Sequence, residues 1–81
     1  MHEPELSETE GAFWYTEASL RLPGRVLCAG TLAQCVRRWR RLSDFEKQEA
    51  ELRFTYPSGQ CGILMCADIA PLAATPALRM I

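Results

Sequence analysis

The stretch Thr31-Leu32-Ala33-Gln34-Cys35-Val36-Arg37-Arg38-Trp39-Arg40-Arg41-Leu42, followed by Ser43-Asp44-Phe45-Glu46, decides how this chain folds. Thr31 and Gln34 have the T-x-x-Q spacing of a capping box, in which the hydroxyl and the side-chain amide each satisfy a backbone N–H that the first helical turn leaves unbonded. Leu32, Cys35, Val36, Trp39 and Leu42 then recur at helical spacing and fall within an arc of about 120°. Arg37, Arg38, Arg40 and Arg41 take most of the opposite arc, so the sequence predicts an amphipathic helix with a wholly basic solvent face. Trp39 lies on the apolar arc and is expected to anchor the core. A second box, Ser43 to Glu46, predicts that this helix stops at Leu42 and that a short one runs from Asp44 to about Glu49.

Working outward toward the C terminus, the period changes from helical to alternating. Ala50, Leu52, Phe54 and Tyr56 face one way and Glu51, Arg53 and Thr55 the other, as in a strand with one buried face. Pro57-Ser58-Gly59 ends it. In the return strand, Gln60 to Cys66, Cys61, Ile63 and Met65 alternate with Gly62, Leu64 and Cys66, so both faces are apolar; this predicts a central strand covered on both sides, by helices, by the aromatic segment or by another subunit. Asp68 is expected to cap a last helix, with Pro71 in its first turn and Pro76 ending it.

Toward the N terminus, Ala12 to Leu22 carries Phe13, Trp14, Tyr15, Thr16, Leu20 and Leu22, the residue types of a strand. Pro23-Gly24 turns the chain into a second strand, Arg25 to Ala29. Pro-Gly favours a type II turn, whose twist suits a two-residue hairpin poorly. The predicted order is ββααββα, an α+β fold with a small antiparallel sheet and helices packed on one face. Residues 1–11 lack apolar periodicity and read as a mobile acidic arm, leaving 12–81 as a single α+β domain.

With 81 residues, 48% of them hydrophobic and 23% charged, and a formal net charge of −1, the chain has the composition of one globular domain, not of a disordered or strongly basic protein. The charges are unevenly placed. Residues 1–17 carry Glu3, Glu5, Glu8, Glu10 and Glu17 and no base, whereas residues 18–42 carry Arg21, Arg25, Arg37, Arg38, Arg40 and Arg41 and no acid. Residues 1–11 are therefore expected to lie loosely over the basic helix and screen it from polyanions. The N-terminal Met-His-Glu-Pro-Glu has neither the basic nor the apolar region of a signal peptide, and Pro71 and Pro76 interrupt the one long apolar stretch, so the expectation is a cytoplasmic protein without a membrane partner, its cysteines reduced.

Reactive constellations are sparse. Cys28-x6-Cys35 and Cys61-x4-Cys66 lack the short spacing of zinc knuckles. Five residues of strand would hold Cys61 and Cys66 about 17 Å apart on opposite faces. His2, the one histidine, lies in the arm, and Gly24 and Gly30 belong to no phosphate loop. No helix-turn-helix, ribbon-helix-helix or zinc-ribbon pattern is present. These features predict no catalytic residues, no cofactor and no metal. The chain reads as a small non-enzymatic protein-association module, homodimeric through apolar surface at Phe13, Trp14, Tyr15, Ile63 and Met65. An unknown protein partner is expected beside self-association; the rival reading is a nucleic-acid-binding or regulatory protein using the Arg-rich helix 31–42, through Arg37, Arg38, Arg40 and Arg41. A subunit of an enzyme completed by a partner is the third.

Overall fold

Both capping boxes form as their spacing demands. Thr31 Oγ1 accepts from the Gln34 N–H at 3.2 Å and the Thr31 N–H donates to Gln34 Oε1 at 2.9 Å; Ser43 and Glu46 make the same reciprocal pair. The computed structural model describes residues 13–56, 58–76 and 78. Its elements are β1 Glu17–Leu22, β2 Arg25–Thr31, α1 Leu32–Arg40, α2 Asp44–Glu49, β3 Glu51–Thr55, β4 Cys61–Leu64 and α3 Cys66–Ala73. The acidic arm, and with it the start of the domain at residue 12, lies outside the described residues.

The four strands form one antiparallel sheet in the order β2-β1-β3-β4. All three helices are connected on one side of it, and the predicted α+β architecture holds. α1 packs across β1 and β2, and α3 packs against α1, α2 and β4. Leu32, Ala33, Cys35, Val36 and Trp39 of α1 are buried and meet Ala18 and Leu20 of β1, Leu52 and Phe54 of β3 and Ile69 of α3 in a single core. Trp39 anchors the angle between the first two helices. Its Nε1 donates to the Lys47 carbonyl at 3.3 Å, and Lys47 Nζ lies 5.1 Å from the ring centroid.

The β1–β2 hairpin solves the twist problem of its Pro-Gly turn by a bulge. Gly24 takes φ of +85°, the left-handed conformation a type II turn needs at its third position. Leu20 then pairs with Cys28 but Arg21 with Val26, so Leu27 is an extra residue on β2. A bulge increases local twist and lets the strands pair behind a turn that would otherwise splay them.

Three expectations need correction. β4 is an edge strand, not a central one: β3 separates it from β1, and apolar residues on both of its faces did not imply cover on both. The first strand begins at Glu17, because Phe13 to Thr16 form a helical turn closed by the Thr16 N–H on the Phe13 carbonyl at 3.1 Å. The last helix begins at Cys66, so Asp68 is its third residue instead of its cap, accepting from the Met65 N–H at 3.5 Å. Pro71 consequently sits in the second turn. The Thr75 hydroxyl donates to the Pro71 carbonyl at 2.9 Å and satisfies one of the acceptors at the helix end.

Candidate functional site

The residues of β4 occupy their positions because of what β3 demands of them. Gly62 pairs with Phe54, and a Cβ at Gly62 would collide with the Phe54 ring, so only glycine lets that ring lie over the edge strand. Leu64 points to the core side with it. Cys61 and Ile63 point to the opposite face, which no helix covers among the described residues, and Ile63 is 56% exposed.

The hydrogen-bond phase of this hairpin fixes what the edge presents. The Tyr56 N–H donates to the Gln60 carbonyl at 2.7 Å. Antiparallel alternation then makes Phe54–Gly62 and Leu52–Leu64 the bonded pairs and turns the backbone N–H and C=O of Cys61 and Ile63 outward. Ile63 thus offers both an exposed side chain and unpaired backbone groups. Met65, just beyond the strand, is also exposed, but its backbone belongs to the start of α3: its N–H donates to Asp68 and its carbonyl accepts from the N–H groups of Asp68 and Ile69. On the rest of the open face Glu51 and Arg53 form an ion pair and Arg21 Nε donates to Ser19 Oγ at 3.2 Å, so Glu17, Glu51, Arg21 and Arg53 leave it formally neutral.

The aromatic segment is divided between core and surface. Trp14 is 4% exposed and packs edge-to-face with half-buried Phe13 at 5.4 Å between ring centroids, whereas Tyr15 points to solvent. Of Phe13, Trp14, Tyr15, Ile63 and Met65, Trp14 is therefore a core residue, and Tyr15, Ile63 and Met65 are the exposed ones. Sequence reasoning missed Phe45, at 75% the most exposed large apolar side chain among the described residues. It lines a groove of about 350 Å³ with Leu22, Pro23, Arg25, Glu46 and Glu49. The signal was available: α2 has six residues, one of them apolar, and buries none.

The four arginines are not equivalent. Arg38, Arg40 and Arg41 are exposed, while Arg37 is half-buried and its Nη2 donates to the Leu78 carbonyl at 2.8 Å. Arg37, Arg40 and Arg41 line a groove of about 510 Å³ with Leu78, and Arg38 does not. Helix geometry explains the division: at about 100° per residue the first three share an arc of about 100°, and Arg38 stands about 60° beyond it. Like charges at i, i+3 and i, i+4 cost about 0.2–0.5 kcal/mol per pair, an amount the negative end of the helix dipole offsets.

Cys35 and Cys28 meet beneath β2. Cys35 Sγ lies 3.8 Å from the Cys28 carbonyl, and burial, with the adjacent Cys28 thiol adding to the effect, pushes the Cys35 thiol up to about 12. Cys35 is buried, Cys28 and Cys66 are partly buried and Cys61 is exposed. Among the described residues no three metal-binding side chains come together, and no helix is long and apolar enough to cross a membrane. No protein-family model, curated protein or solved structure matches the chain.

Proposed function

We propose that this chain is a non-enzymatic protein-association module that acts as a homodimer, two copies pairing antiparallel through β4. The observation that carries this reading is the coincidence at Ile63 of an exposed apolar side chain with outward-facing backbone groups on a strand without charge or proline. Natural sheets usually protect an edge with such residues, so a bare one is a pairing template. Centred on Ile63, the pairing places Ile63 against Ile63 of the second copy with the backbone bonds made there, and sets the Cys61 side chain beside that of Met65, whose backbone stays bonded at the start of α3. The sheet becomes continuous over eight strands, and its open face is electrically neutral on both sides of the junction.

The expected dimer is a modest one: burial of the half-exposed Ile63 and Met65 side chains and the added backbone hydrogen bonds favour it, and lost translational and rotational freedom opposes it. Sedimentation equilibrium should show a dimer at tens of micromolar that changes little with salt. Amide exchange at Ile63 should slow as protein concentration rises, while exchange at the β2 edge stays constant. A monomer at about 100 μM would overturn the reading.

A further inference from the structure

We propose that the groove lined by Arg37, Arg40, Arg41 and Leu78 is a binding site for a compact polyphosphate group, with Arg40 and Arg41 as its principal ligands and Arg37 as its fixed wall. The three arginines line a concavity of about 510 Å³, within the range of small-ligand sites. Arg37 is positioned by its bond to the Leu78 carbonyl, and Leu78 is itself locked into the core. One wall is therefore preorganised before any ligand arrives.

Arg40 and Arg41 stand exposed, three and four residues beyond Arg37, and no described carboxylate lines the groove with them. Two planar forks on one side of a concavity suit phosphate oxygens, which guanidinium groups bind in pairs. Among the described residues no aromatic ring lines the groove; Trp39 is buried and engaged with Lys47. The site therefore reads charge and phosphate spacing without a platform on which a base could stack. This chemistry belongs to the phosphate chain of a small molecule, and it does not depend on the state of the β4 edge.

Isothermal titration of the full chain with inorganic tripolyphosphate at low ionic strength tests the proposal. The expected result is one saturable site per chain. Arg40→Ala and Arg41→Ala should each weaken it by about tenfold or more, as expected for loss of a charge-assisted bidentate contact, with Arg38→Ala changing it by less than about twofold. All three side chains are exposed, and thermal melts confirm that the variants fold. Absence of saturable binding overturns the proposal. So does an Arg38→Ala loss equal to that of Arg40→Ala, which would mark a diffuse basic face. Duplex DNA that binds but is not displaced by tripolyphosphate overturns it as well, in favour of a nucleic-acid surface.

Discussion

At one edge of the sheet, β2 begins with Arg25, bulges at Leu27 and ends by turning directly into α1 at Leu32; at the other, β4 is four residues long and has no charge, no bulge and no proline. The first edge carries two devices that discourage pairing with another chain, the charge and the bulge. The second has only its shortness. The bulge on β2 is also the device that accommodates the Pro23-Gly24 turn, so one local feature both closes the hairpin and guards the edge. On β4 the demand is different: Gly62 must admit the Phe54 ring, and the apolar residues flanking it are left facing outward.

Thiol chemistry should show the largest contrast. Cys61 lies open on β4, whereas Cys35 is sealed beneath β2 with its thiol held near 12, so at neutral pH Cys61 should react with a thiol reagent at least about a thousandfold faster than Cys35. Mass-spectrometric labelling kinetics on native protein measure this directly. The raised value also sets a pH dependence: the neutral thiol is preferred in the fold, so its stabilisation is complete below the ordinary value of 9.0 and is lost as pH rises through about 12. Cys35→Ala should flatten that part of the stability profile. Equal labelling of Cys35 and Cys61 would mean that the β2 side opens as readily as the β4 side.

Next in size is the effect of a charge placed on each edge. Ile63→Lys should raise the dimer dissociation constant by about a hundredfold, because the lost apolar burial is compounded by the cost of desolvating an ammonium group. Val26→Lys, equally exposed but on the bulged edge, should leave it within about twofold. Sedimentation equilibrium on the pair decides the matter, and an equal response at both edges would dissolve the distinction between them.

Small-to-large substitutions probe the same contrast through stability. Gly62→Val should cost about 1–3 kcal/mol, since a side chain there drives the Phe54 ring out of its place, and chemical denaturation of the monomeric Ile63→Lys background isolates the effect from association. Ala29→Val, at an exposed position of β2 opposite Ser19, should stay within about 0.5 kcal/mol.

Local signals in the sequence were as informative as the bonds behind them were short-range. Both capping boxes, the break at Ser43, the alternation of Ala50, Leu52 and Phe54 and the burial of Trp39 all involve residues a few positions apart, and the structure carries each one. Strand order did not have this character. Whether β1 or β2 borders β3 depends on how α1 and α2 return the chain across the sheet, and the apolar residues of Cys61 to Met65 were equally compatible with cover and with exposure. The angular division among the arginines follows from helix spacing, but the anchoring of Arg37 was hidden for a similar reason, because it rests on Leu78, more than forty positions along the chain. Phe45 is the opposite case, since an apolar side chain in a helix too short to have a buried face was visible from the start.

The smallest predicted effect separates the edge from the stability of the fold as a whole. Ser43 caps α2, which contributes no strand to the sheet, through bonds of 3.2 Å with Glu46 in both directions. Ser43→Ala should cost about 1 kcal/mol, which in a domain of this size lowers Tm by about 4–8 °C. If β4 pairing alone holds the dimer, the dissociation constant should change by less than about twofold while Tm falls, and Ser43→Asp, which restores an acceptor at the same position, should recover the loss. Thermal melts must be compared at one protein concentration, because association itself raises Tm by mass action. A dimer that weakens in step with the loss of the cap would place the contact on the packed helices instead, and the bare edge of β4 would then be a surface that this fold tolerates without using.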